Sequence, residues 1–153
     1  MNEIKYINGD ATEPTGDGAK FIIHCCNDEK KWGAGFVLAL SNKWKEPEQR
    51  YRSWKDADKL GLCQFVKVEP NLFVVNMIGQ RGVGYQDGLP PVRYDEIEKC
   101  LATVGRYAKE LNASVHGPRF CCGLAGAEWD VIEEKLKRNV LNKGVDVTIY
   151  DFE

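Results

Sequence analysis

Two stretches of this 153-residue chain set glycines where a strand-like run gives way to a helix-like one, and that arrangement suits phosphate. In the first, Phe21-Ile22-Ile23-His24-Cys25-Cys26 is followed by polar Asn27 to Lys31, by Trp32-Gly33-Ala34-Gly35, and then by Phe36-Val37-Leu38-Ala39-Leu40. Glycines let a backbone approach a ligand closely, and a helix start offers unpaired N–H groups with partial positive charge. The second, Pro118-Arg119-Phe120-Cys121-Cys122-Gly123-Leu124-Ala125-Gly126-Ala127-Glu128-Trp129, makes the same passage. A tight turn explains either loop taken alone. Two such loops ahead of two helix starts can clamp a diphosphate from both sides.

Other chemistries of these residue types fail on spacing. A dinucleotide fingerprint has Leu38 where its third glycine belongs, and a helix-like Ser53-Trp54-Lys55 where a ribose-binding acid is expected. No GKS or GKT occurs, which excludes a P-loop. A cysteine-phosphatase loop needs an arginine six residues after its cysteine. Cys25, Cys26, Cys121 and Cys122 have Lys31, Trp32, Ala127 and Glu128 there. The six cysteines contain no CxxC pair, so a zinc site has little support, and reduced, mostly structural thiols are expected. Neighbours on a strand point to opposite faces, so one member of each doublet is expected in the core.

The elements that must position these loops follow from periodicity. Ile4 to Asn8 forms a short strand stopped by Gly9-Asp10, and Phe21 to Cys26 a strand buried on both faces. One helix begins at Phe36 and reaches Lys43 or Lys45; another opens at Pro47 and ends before Gly61. Gln64 to Glu69 and Leu72 to Ile78 make a hairpin about Pro70-Asn71. A long loop from Gly79 to Pro91 precedes an amphipathic helix carrying Tyr94, Ile97, Leu101, Val104, Ala108 and Leu111. Ser114 to His116 is a short strand, Trp129 to Val140 a helix capped by Gly144, and Val145 to Phe152 a last strand. Strands alternating with helices mean a layered α/β domain, and the hairpin makes its sheet mixed.

The totals fit one domain over residues 1–153, with a hydrophobic fraction of 43% and a charged fraction of 29%. A net charge of −2 disfavours general binding to a nucleic-acid backbone. Neither a signal peptide nor an apolar run approaching the ~20 residues that span a bilayer is present, so no membrane association and a cytoplasmic location are expected. A monomer is the simplest expectation, and nothing requires a metal or cofactor.

The ordered set of motifs resembles the macro domain family. The matching residues are Ile7-Asn8-Gly9-Asp10-Ala11-Thr12, His24-Cys25-Cys26-Asn27, Trp32-Gly33-Ala34-Gly35-Phe36, Pro118 to Gly126 with Trp129, and the closing Tyr150-Asp151-Phe152. The likeness covers almost the whole chain and is strongest to the stand-alone branch of ADP-ribose-1''-phosphate phosphatases and terminal ADP-ribose glycohydrolases. It implies a three-layer α/β sandwich, a mixed central sheet with helices on both faces, and ADP-ribose or a derivative as ligand.

The resemblance also implies roles. Asp10, with Ala11, would meet the adenine amino group; an Asx-turn is the plainer reading of Asp10. Tyr150 and Phe152 would lie against adenine, or else close the core. Asn27 would contact the distal ribose, while Gly33, Ala34, Gly35 and Phe36 and then Gly123, Leu124, Ala125 and Gly126 would hold the diphosphate. One branch uses a lysine and an aspartate where this chain has Gly79-Gln80-Arg81 and Ala125, and arginine is no amine nucleophile. His24, Asn27 and Asp28 are then the catalytic candidates, with a hydrogen-bonded core histidine and a solvated loop acid as the structural alternatives. Three activities follow from the likeness: a hydrolase at C1'' of the distal ribose, with the 1''-phosphate favoured; removal of ADP-ribose from modified protein or nucleic acid; and non-catalytic ADP-ribose reading.

Overall fold

The unbroken apolar run of Phe21 to Cys26 needs cover on both faces, and β2 (Lys20–Asn27) has it at the centre of a sheet. The computed structural model describes residues 3–152. Its further strands are β1 (Lys5–Asn8), β3 (Cys63–Glu69), β4 (Leu72–Gln80), β5 (Ser114–Gly117) and β6 (Val147–Asp151). Their order is β1-β6-β5-β2-β4-β3, parallel throughout except for the antiparallel β3–β4 hairpin. The helices are α1 (Phe36–Lys43), α2 (Glu46–Ser53), α3 (Tyr94–Leu111) and α4 (Trp129–Asn139). This is the expected α/β sandwich with a mixed sheet.

The two periodicities of β2 divide the core. Ile22 and Cys26 pack with Trp32, Leu40, Tyr51 and Val74 under α1 and α2. Phe21 and Ile23 pack with Ile97, Leu101, Val104, Ile132 and Leu136 of α3 and α4. Glu98 of α3 staples those last two helices, accepting from Arg138, Lys135 and Asn139. Arg138 above all holds the Glu98 carboxyl down at about 2. The chain therefore leaves β2 for one face and β5 for the other, although β2 and β5 are neighbours. In an open α/β sheet that divergence leaves a crevice beyond the carboxyl ends of the two strands.

Boundaries differ where side chains intervene. The second helix, expected to open at Pro47 and end before Gly61, is Glu46–Ser53; Trp54 turns extended (ψ 114) and the Ser53 hydroxyl donates back to the Gln49 carbonyl. The last strand is Val147–Asp151, so Phe152 lies beyond it. The loop after β4 is closed at its base: the Arg81 amide donates to the Pro91 carbonyl and the Arg93 amide to that of Gly79. Among the described residues no helix is long and apolar enough to cross a membrane.

Candidate ligand-binding cleft

The crevice between the ends of β2 and β5 is a cleft of about 480 Å³. Gly33, Ala34, Gly35 and Phe36 line one side, and Gly123, Leu124 and Ala125 the other. The two loops singled out by sequence thus share one cavity. Backbone conformation explains Gly35, which sits at φ 80 and ψ −144 as the N-cap of α1, a region costly for a side chain. Gly126, at φ 79, also abuts Pro90 and Tyr85. Gly33 and Gly123 are different: a Cβ on either meets nothing within 4 Å. Their smallness leaves the cleft open.

No side chain caps α1. Among the described residues, the amides of Gly33, Ala34, Gly123, Leu124 and Ala125 donate to no backbone acceptor in the loops. Gly33, Ala34, Gly123 and Leu124 are exposed and Ala125 is buried, so two runs of donors without a protein partner border the cavity. The cations are already engaged. Lys31 lies 3.2 Å from Glu29. Arg119 lies 2.7 Å from Asp151, over the rings of Tyr6 and Trp129. Attraction for an anion therefore falls to backbone donors and the α1 terminus.

Asn27 lines the cleft, but its amide is bound into the loop. Its Nδ2 donates to the Lys31 carbonyl at 2.8 Å, while Oδ1 accepts from the amides of Glu29 and Lys31 and from the Tyr51 hydroxyl. Through these bonds it shapes the first glycine loop. Asp28 is half-buried and stands outside the lining; its Oδ1 accepts from the Gly82 amide at 2.7 Å and fastens the loop after β4.

His24 is buried in the cleft wall, edge-on to Trp32 and tilted against Phe36. Asn76 spends its Nδ2 on the Pro47 carbonyl and Gln64, so its Oδ1 accepts and His24 Nε2 carries the proton, at 2.6 Å. Burial lowers His24 to a pKa of about 4, against the raising effect of Asn76. Such an imidazole is neutral at neutral pH, with Nε2 donating to Asn76 and Nδ1 an acceptor. Burial, then Lys20, lowers His116 to about 4 as well.

Both histidines titrate near 6.5 when unfolded. Their folded pKa values are depressed, so the stability they contribute is complete above pH 6.5 and is lost as pH falls through 6.5 toward 4. The unfolding free energy from urea denaturation should drop across that window by up to about 1.4 kcal/mol per pH unit for each histidine. His116→Gln should roughly halve the slope; an unchanged slope would refute the assignment.

The expected adenine end is not part of this cavity. Asp10 Oδ1 accepts from the Thr12 amide and hydroxyl at 2.8 and 2.7 Å, closing an Asx-type turn, and Ala11 is buried behind it. Tyr150 and Phe152 do not share a face as expected. Tyr150 is buried, with its hydroxyl between His116 Nδ1 and the Thr15 amide, whereas Phe152 is 80% exposed past the strand end. None of these four lines the cleft. Pro118, Arg119, Phe120, Gln80 and Val83 do. The motif reading passed over Val83, an apolar residue in a polar loop, because only the closed base of that loop brings it to the mouth.

Comparison with known proteins adds relatives over the full length. A solved macrodomain protein from Streptomyces coelicolor is 47% identical, with TM-score 0.85, covering 97% of this chain and 99% of that one. A protein of unknown function from Bacteroides thetaiotaomicron is 51% identical, with TM-score 0.95 and 98% of each chain covered. A Thermosipho africanus DarTG structure solved in complex with ADP-ribose shares the fold at 18% identity and TM-score 0.69, over 88% of this chain and 38% of that one. No family model matches. The zebrafish chromodomain-helicase-DNA-binding protein 1-like is 27% identical over 162 residues; this chain spans 15% of its length.

Proposed function

This chain belongs to the macrodomain family, and from that premise we propose that its cleft binds ADP-ribose, with the diphosphate between the two glycine loops. The observation that carries the reading is the pair of unpaired amide runs across one cavity, at Gly33–Ala34 and Gly123–Ala125. A diphosphate is the ligand group that takes many N–H donors without needing a lysine or arginine of its own. The solved DarTG complex with ADP-ribose supports the choice.

Hydrolysis at C1'' of the distal ribose is the second reading. What favours it is the placement of His24 and Asn27 together in the cleft wall at the end of β2. A neutral His24 can orient a water through Nδ1, and Asn27 sets the loop that faces it; Asp28 would act only by moving from Gly82. The 1''-phosphate ester is the first substrate to test, and an ADP-ribosylated protein or nucleic acid the next. Calorimetry with ADP-ribose on the reduced protein decides the first reading: saturable one-to-one binding is expected, and none at all refutes it. Phosphate release from ADP-ribose 1''-phosphate, compared with His24→Ala, decides the second. Binding without turnover of any C1'' derivative leaves a reader.

A further inference from the structure

On the sheet face covered by α3, a second cavity of about 520 Å³ opens at the β3 edge. It shares no lining residue with the cleft. β3 is the outermost strand, and α3 packs mainly on its inner neighbour β4, so a trough remains along the outer flank of the helix. Its floor is aromatic. Phe21, at the start of β2, meets Phe65 of β3 and Phe73 of β4 edge-on, with ring centroids 5.3 and 5.8 Å away. Tyr107 of α3 stands edge-on to Phe65 at 5.3 Å and supplies a wall. The lining hydroxyl of Thr103 already donates to the Lys99 carbonyl, and the Cys63 thiol to that of Cys100. What faces the void is apolar.

An apolar hollow alone does not identify its occupant, but the charges beside this one do. Arg106 lines the cavity, with its guanidinium carbon 5.1 Å from the centre of the Tyr107 ring. Lys67 stands two residues after Phe65 on the same face of β3, directly across from Phe73. Both cations are exposed, and neither makes an ion pair or a side-chain hydrogen bond, although Glu110 is one turn on from Arg106. Elsewhere clustered cations are spent, Lys135 and Arg138 on Glu98 and Arg119 on Asp151. Among the described residues no acid lines the cavity, and Glu96, beside Gly61 of the lining, is held by Lys99 at 3.2 Å. Two unpaired cations on the two sides of one apolar cavity select an amphipathic anion.

We propose that this cavity binds a medium-chain carboxylate, with its alkyl chain against Phe21, Phe65 and Phe73 and its head between Arg106 and Lys67. The volume is that of a single small-molecule site, which runs about 300–1,000 Å³, and the guanidinium fork matches both oxygens of a carboxylate. Chain length supplies most of the affinity. Each buried methylene is worth roughly fourfold in Kd. The site is independent of the ADP-ribose reading, since the cleft lies apart from it.

Decanoate, kept below its micelle concentration, is titrated into the full chain at neutral pH and followed by calorimetry and by backbone amide NMR shifts. Saturable one-to-one binding is expected, with shifts in Cys63 to Lys67 and Thr103 to Leu111 and none in Gly33 to Gly35 or Gly123 to Gly126. Octanoate, two methylenes shorter, should bind roughly tenfold more weakly. Arg106→Gln, at an exposed position, should weaken decanoate about fivefold and leave decan-1-ol unchanged. Leu111→Asp, also exposed, sets a carboxylate in the lining and should weaken decanoate by about tenfold or more. ADP-ribose should not displace decanoate, whether or not it occupies the cleft. Non-saturating binding, shifts centred on the cleft, or parental decanoate affinity in either variant overturns the proposal.

Discussion

Gly123→Val is expected to lose ADP-ribose while keeping its fold, and Gly33→Val the same. Neither glycine has a φ in the left-handed region, and a Cβ on either meets nothing within 4 Å, so valine costs the unliganded protein little. Thermal midpoints should stay within about 2 °C of the parent, the effect of less than ~1 kcal/mol in a chain of this size. The ligand is what the side chain meets. Overpacking a close contact costs about 1–3 kcal/mol, which is roughly five- to 150-fold in Kd, and lost amide contacts add to it. Gly35→Val separates the causes: its φ of 80 should make it lose stability as well as binding. Calorimetry with thermal denaturation checks the three together. A Gly123→Val protein that binds at parental affinity would remove the second loop from the site.

That contrast also shows how much a sequence can reveal here. Both glycine loops were legible because each sits between an apolar run and a helix start, a local pattern. Their meeting in one cleft was legible only as an expectation, since it depends on β5 pairing with β2 across the intervening chain. The shared face expected of Tyr150 and Phe152 fails for a different reason. Strand alternation puts Tyr150 and Phe152 on one face only while the strand lasts, and β6 stops at Asp151. His24 was ambiguous by type alone. What decides its state is Asn76, fifty-two residues away on β4, and no spacing rule connects the two.

Asn76→Leu is accordingly the stability change expected to be largest. Asn76 is fully buried and stands opposite His24 on β2 and Gln64 on β3. Its Oδ1 accepts the His24 Nε2 proton at 2.6 Å, and its Nδ2 donates to the Pro47 carbonyl at 3.2 Å and to Gln64 Oε1 at 3.0 Å. One side chain thus joins β2, β3, β4 and the first turn of α2. Leucine fills the volume but strands the His24 N–H and the Pro47 carbonyl, while half-buried Gln64 can turn to solvent. A buried polar group left unpaired costs about 1–3 kcal/mol, so roughly 2–5 kcal/mol is expected after the apolar gain, out of a total of about 5–15. Asn76→Asp tests the electrostatics separately. Its carboxylate still accepts from His24 but favours the imidazolium, so the His24 pKa should rise and its part of the acid-side stability loss should shrink. Urea denaturation of both variants at pH 7.5 and 5 is the measurement. A loss below about 1 kcal/mol in Asn76→Leu, or an acid slope unchanged in Asn76→Asp, would mean that His24 owes its state to something other than Asn76. Because His24 packs on Trp32 and Phe36, the same loosening should reach the first glycine loop and weaken ADP-ribose binding, though less than a side chain placed in the cleft itself.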